Sequence, residues 1–441
     1  MRTPIHDFIT KYTEDKPLRL HMPGHKGVGE LEGLDITEIS GADSLFEADG
    51  IIKESEENAS SLFGAHTFYS AEGSSLSIRA MLFLCSLYAK ENGKSFKVLA
   101  ARNVHKSFIS ASALIGFDVT WLRGAPSSSY LSFTPDLNEI EKRLSVDAPT
   151  VLYLTTPDYL GSCVELEGIS ELCHRYGVLL AVDNAHGAYL KFLPESRHPI
   201  DLGADICCDS AHKTLPVLTG GAYLHVSKNA PDLFVREAKN ALSLFASTSP
   251  SYLILRSLDL CNAYLENGYK QRLAEFLMKV DALKKELKVK GFALYGNEPM
   301  KITLMTKPYG YTGKEFAEIL EGKNIYPEFS DPDFLTLMLT PELGKEGLDR
   351  LYEALVTIPE KTPILVFPPK PDSGERKMSV REAVFSPKEQ IAVSEALGRI
   401  LAEPSVGCPP AVPIVISGEE ITESAIKCFE HYGIKTVKVV K

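Results

Sequence analysis

From about residue 60 onward the chain alternates between short apolar runs and longer amphipathic stretches. The runs are KVLAAR (97–102), DVTWLR (118–123), TVLYLT (150–155), GVLLAVD (177–183), ADICCD (204–209) and GAYLHV (221–226). Between several of them lie segments such as LEGISELCHRYG (166–177), where Ile169, Leu172, Cys173 and Tyr176 share one face at helical spacing. Strand–helix–strand alternation predicts an α/β fold, with a largely parallel sheet covered by helices on both faces.

The pattern differs on either side of this region. Residues 1–60 are polar, and turn formers cluster at HMPGHKGVG (21–29), so a loop-rich arm is expected. A long amphipathic stretch covers roughly 264–289. KITLMT (301–306), TGKEFAEILEGK, FLTLMLT (334–340) and GKEGLDRLYEALVTI then read as a compact β-α-β-α unit. Residues 361–375 are rich in Pro and Lys and read as a connector. The tail is expected to hold one amphipathic helix, PKEQIAVSEALGRILAE (387–403), followed by PPAVPIVIS and a terminal strand, KTVKVV. No internal repeat is present. These changes divide the chain into 1–60, 61–280, 281–368 and 369–441.

Size and charge narrow the picture. At roughly 150 residues per domain, 441 residues suggest about three structural units. Lys+Arg 47 against Asp+Glu 58 gives a net charge of −11. That balance argues against nucleic-acid or membrane-surface partners and fits, weakly, a small cationic substrate. The 8 cysteines form no CxxC pair, and Cys207 and Cys208 sit together in an apolar run, so reduced, buried thiols are expected. MRTPIHDFIT lacks the apolar core of a secretory signal, and no apolar run is long enough to span a bilayer. A soluble, cytoplasmic protein is the expectation.

In open parallel sheets, ligands bind beyond the carboxyl ends of the strands. GVLLAVD ends in Asp183, followed by Asn184, Ala185, His186 and Gly187; ADICCD leads to Ser210, Ala211, His212 and Lys213. KVLAAR leads to Asn103, Val104, His105, Lys106 and Ser107, and Gly73, Ser74 and Ser75 open a helical stretch. A Gly-Ser-Ser turn at a helix start offers N–H groups, two hydroxyls and the positive end of a helix dipole, which together suit a phosphate. A carboxylate at a strand tip can keep a pyridine nitrogen protonated, and a lysine one strand away can form a Schiff base with an aldehyde. Together these describe a site for pyridoxal phosphate. Each residue alone has a bland reading: Lys213 as a loop lysine, Asp183 as a helix cap, His105 as a turn histidine, Asp43 and Glu328 as solvated carboxylates. Their convergence at strand ends favours the site.

Competing motifs fail. GKS at 93–95 would need a glycine where Tyr88 stands. The glycines at 24, 27, 29 and 33 do not follow a strand. His21 and His25 have zinc-ligand spacing, but Pro23 and Gly24 between them rule out a shared helix face, so no metal is expected. No GxSxG is present.

HMPGHKG (21–27), DITEISGADSLFEADGII (35–52), EGSS (72–75), RNVHKS (102–107), TTPDYLG (155–161), DNAHGAY (183–189), GADICCDSAHKTL (203–215) and STSPSY (247–252) occur in that order. Together they resemble the pyridoxal-phosphate-dependent ornithine/lysine/arginine decarboxylases, and the resemblance covers nearly the whole chain. It implies an aspartate-aminotransferase-like fold (PLP fold type I): a large domain over 61–280 with a mostly parallel seven-stranded sheet, a smaller α+β domain over 281–368, and a short C-terminal segment over 369–441. By this resemblance Lys213 would carry the cofactor as an internal aldimine, Asp183 would pair with the pyridine nitrogen and His105 would stack on the ring. Gly73, Ser74 and Ser75, with Ser210 and His212, would hold the phosphate. His186 would lie near the ring oxygen or the substrate carboxylate. Ser247 would reach the phosphate of a neighbouring subunit. His25 and Asp43, from the 1–60 arm, would border the substrate channel, and Glu328 would face a distal substrate cation.

The chain departs from the family's pattern in three places. Asn184 and Tyr189 replace the second acid and the final histidine of Asp-Glu-Ala-His-Gly-Ala-His. Ala211 replaces a threonine, and the Pro-Pro-Gly-Ile-Pro string reads Pro409-Pro410-Ala411-Val412-Pro413. The chain begins almost at the HMPGHKG arm, so the N-terminal wing of the large acid-inducible members is not expected, and a homodimer or dimer of dimers is. The implied reaction is α-decarboxylation of arginine, lysine or ornithine, which places the protein in polyamine metabolism. Aminotransfer on the same scaffold and a non-catalytic cofactor-binding regulatory role are the alternatives.

Overall fold

The computed structural model describes residues 1–125, 129–404 and 410–441. Its large sheet has seven strands: β1 (His66–Ser70), β2 (Lys97–Ala101), β3 (Asp118–Leu122), β4 (Val151–Thr155), β5 (Leu179–Asp183), β6 (Ile206–Asp209) and β7 (Ala222–Val226). Their order is β1-β7-β6-β5-β4-β2-β3. β5 and β6 are parallel, as are β2 and β3, while β7 is antiparallel to both β6 and β1. Every residue of β5, β6 and β7 is buried. Strands covered on both faces read as continuous apolar runs, which is why these were visible in the sequence.

β1 was not. Its sequence, HTFYS, is mostly polar and resembles a loop. It is stable inside because its polar groups find partners: Thr67 Oγ1 lies 2.9 Å from His225 Nδ1, and Asn262 Nδ2 donates to the Tyr69 hydroxyl at 2.7 Å.

The chain divides into two compact units. The first comprises Met1–Phe96, Thr150–Tyr153 and Leu166–Leu273; the second comprises Lys97–Pro149, Leu154–Glu165 and Ala274–Lys441. In the first unit, the helix Gly73–Glu91 packs on β6 and β7 and is buried at Leu76, Ile78, Ala80, Met81, Leu82, Leu84 and Cys85. The 1–60 region holds more helix than its polar composition suggests. Pro4–Glu14 buries Ile5 and Ile9 against the helices Ile51–Phe63 and Tyr252–Glu266. Two residues four apart are enough to anchor a helix that has a neighbour waiting.

In the second unit, β8 (Ala293–Tyr295), β9 (Lys301–Met305), β10 (Phe329–Ser330) and β11 (Phe334–Met338) form an antiparallel sheet in the order β10-β11-β9-β8. The helices Gly313–Glu321 and Gly344–Val356 belong to the same unit. No helix or strand occurs in the 361–375 connector.

The tail corrects one expectation. Residues 387–403 form no α-helix. They contain β12 (Lys388–Ala392) and β13 (Leu401–Glu403), which flank β14 (Thr436–Val440) in a three-stranded sheet. Ile391 faces Val437 and Leu401 faces Val439, and these side chains share a core with Ile414, Val415 and Phe429. The helical spacing of the apolar residues was real, but a partner strand more than 30 residues away satisfied their backbone instead. The α-helices of the described tail are Val380–Phe385 and Glu423–His431.

Among the described residues, no helix is long and apolar enough to cross a membrane. Cys85, Cys173, Cys207, Cys208, Cys261 and Cys428 are buried free thiols, and Cys163 is partly exposed. Cys408 and Pro409 lie outside the described residues.

Candidate active site

The first unit brings β5 and β6 side by side, so the residues following their carboxyl ends meet. β5 ends in Asp183, which is 2% exposed. β6 is followed by Ser210 and a single turn of helix, Ala211–Thr214, that carries Lys213. Lys213 Nζ lies 3.0 Å from His186 Nε2. A protonated lysine donating across this contact makes Nε2 the acceptor and places the imidazole proton on Nδ1.

Asp183 is held by weak donors. The Ala185 N–H reaches Oδ1 at 3.1 Å, the Tyr153 hydroxyl reaches Oδ2 at 3.4 Å, and the Cys208 thiol lies 3.7 Å from Oδ1. Burial pushes its pKa up, and the charge of Lys213 is the leading influence in the opposite direction. A buried carboxylate with such distant donors is suited to a cationic N–H from a ligand.

The phosphate cup lies beside it. Gly73 opens a helix of 19 residues, and its φ of +71° is a conformation glycine tolerates without strain. The Gly73 N–H is tied to the Gly220 carbonyl at 2.7 Å, which fixes the turn. The Ser210 hydroxyl donates to Ser74 Oγ at 2.8 Å, so one hydroxyl from each strand-end segment converges at the helix start. His212 Nδ1 lies 2.9 Å from the Gly221 carbonyl, and a Cβ on Gly73 would come 4.0 Å from the His212 ring. Ser75 follows in the first turn. Glu72, just before the helix, accepts the Ser247 N–H at 2.7 Å, which places Ser247 next to the cup of its own chain. Hydroxyls, a helix N-terminus, a lysine amine and a buried acid form a donor set that fits pyridoxal phosphate.

A buried network that the sequence did not reveal lies under these loops. Asp209, with no exposure, accepts from Asn184 Nδ2 at 2.6 Å and lies 3.1 Å from both His198 Nε2 and His225 Nε2. Burial alone would raise the Asp209 pKa, but its pairing with His198 and His225 outweighs it and holds the carboxyl below its usual range, while burial in turn lowers the pKa of His225. Cys207 Sγ lies near His198 and Asp209, and burial drives this thiol's pKa far up. Asn184 is boxed in, since a Cβ on Gly187 would come 2.0 Å from its Oδ1. The network therefore sets the loop between Asp183 and His186. Asp209→Ala would leave two imidazoles and an amide without their acceptor and is expected to destabilise the fold by about 3–5 kcal/mol. Urea unfolding checks this; a midpoint equal to wild type would refute it.

The remaining candidates have local partners. Asp43, at φ +69°, accepts from the N–H groups of Ser44, Asp49, Gly50, Ile52 and Lys53 at 2.8–3.3 Å, which caps the helix Ile51–Phe63. Burial opposes ionisation there, and the N–H donors of Asp49, Ser44, Gly50 and Ile52 overcome it and lower the pKa. His25 uses both ring nitrogens within the arm, with Nε2 3.1 Å from Asp35 and Nδ1 accepting the Gly27 N–H at 3.0 Å. In the second unit, His105 caps the helix Lys106–Ala111, its Nδ1 accepting the Ser107 N–H at 3.2 Å. Glu328 accepts the Tyr159 hydroxyl at 2.8 Å and borders a cavity of about 370 Å³ with Tyr326 and Arg350.

Comparison with known proteins gives consistent results. The model of "Orn/Lys/Arg decarboxylase, major domain" matches residues 3–296, and that of "Orn/Lys/Arg decarboxylase, C-terminal domain" matches residues 372–433. An uncharacterised Bacillus subtilis protein, YaaO, is 31% identical, with 97% of this chain and 93% of that protein covered. The arginine decarboxylase of Bacillus subtilis is 30% identical, with 96% and 92% covered. Among solved structures, lysine decarboxylase A from Pseudomonas aeruginosa superposes with a TM-score of 0.81 at 18% identity, over 99% of this chain and 80% of that one.

Proposed function

The chain belongs to the Orn/Lys/Arg decarboxylase family, and from that premise we propose that it converts arginine to agmatine and CO₂. It is a pyridoxal-phosphate-dependent amino-acid decarboxylase of PLP fold type I, acting on a basic amino acid. The choice of arginine over lysine or ornithine rests on the relatives that carry that name, at 30% identity over 96% of this chain. The observation that carries the reaction is the convergence of Lys213, His186 and Asp183 beside the Ser74–Ser210 cup.

Bound pyridoxal phosphate supplies an electron sink for the pair released when the bond to the α-carboxylate breaks. In this reading Lys213 would hold the cofactor through its amine. Asp183 keeps the ring nitrogen protonated. Ser74, Ser75, Ser210, His212 and the helix start at Gly73 hold the phosphate. His186, at hydrogen-bond distance from Lys213 Nζ, takes or returns the proton of that nitrogen. His105 takes the ring-stacking role its motif implies, and His25, Asp43 and Glu328 the substrate-side roles. Ser247, beside the cup of its own chain, also reaches the cup of a second subunit in a homodimer or dimer of dimers. The large domain over 61–280, the small domain over 281–368, the tail over 369–441 and a cytoplasmic location complete the proposal.

The test is a mass-spectrometric screen of the cofactor-loaded protein against the common amino acids plus ornithine. Agmatine as the main amine is the expected result. Cadaverine or putrescine would reassign the substrate. A keto acid with pyridoxamine phosphate, or no product with cofactor bound, would overturn the reaction.

A further inference from the structure

The second unit contains a cavity of about 420 Å³, a size typical of small-ligand sites. Its walls come from residues at and after the ends of β2 and β3, from the 129–133 segment, from the connector and from Pro413 and Ile414. Arg102, Arg123 and Lys370 line it, and no carboxylate is among its described lining residues. In a chain of net charge −11, this is a local reversal of sign. Arg102 is neutralised by Glu419 through two contacts of 2.7 and 2.8 Å. Arg123 and Lys370 have no acidic side-chain partner among the described residues. Glu139, the acid touching this turn, is spent on the N–H groups of Arg123 and Gly124 at 3.0 and 2.9 Å.

A second observation is independent of charge. Asn103 lines the cavity, is 3% exposed, and among the described residues has no hydrogen-bond partner at either Oδ1 or Nδ2. A buried amide left wholly unpaired is rare in a native fold and marks a place where another polar group belongs. The walls are also held in place. On one side of Lys370 the Cys428 thiol donates to the Pro369 carbonyl at 3.5 Å, and on the other the Asp372 N–H donates to Ser424 Oγ at 2.9 Å.

We propose that this cavity binds a small organic anion bearing a carboxylate or phosphate group. Arg123 and Lys370 neutralise the anion, the Asn103 amide donates to it, and Tyr130 and Phe133 supply apolar wall. A basic amino acid or its amine product would meet like charge here, so the ligand is neither. None of the walls belongs to the Ser74–Ser210 cup, so it is not the cofactor's phosphate either.

Calorimetric titration of the full-length, cofactor-loaded protein, freed of excess cofactor, tests this with pyrophosphate and with citrate at constant ionic strength. Saturable binding of at least one is expected. Arg123→Ala and Lys370→Ala should each weaken it by about tenfold, with an unchanged melting temperature. Tighter pyrophosphate binding would assign a phosphorylated ligand, and tighter citrate binding a carboxylate. No saturable binding of either anion, or equal binding by wild type and both variants, would overturn the proposal. The reading of the catalytic reaction is not involved in either result.

Discussion

Lys213→Ala is expected to lose the borohydride-reducible link to pyridoxal phosphate and at least about 10³-fold of turnover. The effect follows from position. Lys213 sits on one turn of helix directly after a fully buried strand, with its amine 3.0 Å from His186 Nε2. The variant keeps the Ser74–Ser210 cup and Asp183, so non-covalent cofactor binding should persist, weakened. Intact-protein mass after borohydride reduction distinguishes the cases. An adduct equal to that of wild type would remove Lys213 from its assigned place. Loss of the adduct with activity retained would separate the attachment from the chemistry.

Asp183→Asn is expected to cost about 10²–10³-fold in kcat while leaving cofactor stoichiometry near one per chain. The carboxylate lies in a site where burial pushes its pKa up, and its hydrogen bonds are long. It can hold its charge cheaply only when a cation faces it. The neutral amide cannot keep a ring nitrogen protonated, so the electron sink weakens although the shape is preserved. The pH dependence has a definite sign. A carboxyl whose folded pKa is raised contributes stability at low pH that is lost as pH rises through that folded value. The melting temperature of the cofactor-free wild type relative to cofactor-free Asp183→Asn should therefore fall as pH rises from the ordinary aspartate range. Near wild-type turnover in the variant would contradict the ring-pairing role. Unfolding of the cofactor-free variant would show that the residue is structural.

The parts whose physics is local or repetitive were legible in the chain's residue pattern. Six strands were visible as apolar runs, and β5, β6 and β7 are buried along their whole length, because strands covered on both faces need mostly apolar side chains. Lys213, Asp183, His186 and the Gly73–Ser75 turn were visible because each follows or opens an element whose end can be read, and a parallel sheet gathers such ends on one edge. The ordered motifs of the resemblance added the family, which the two matching family models bear out.

Features that depend on a distant partner emerge only in the folded chain. β1 is a strand because Thr67 and Tyr69 meet His225 and Asn262, which lie 158 and 193 residues away. Residues 388–392 form a strand and no helix because β14 offers them a backbone to pair with. Asp43 caps a helix through N–H groups up to 10 residues on, which its isolated position in the sequence did not suggest. The Asp209 network, which fixes the Asp183–His186 loop, joins Asn184, His198 and His225 across 25, 11 and 16 residues. Hydrophobic periodicity records which way a side chain faces. It carries no record of which polar group will be waiting there, and in the low-dielectric interior that pairing decides whether a buried charge is tolerated.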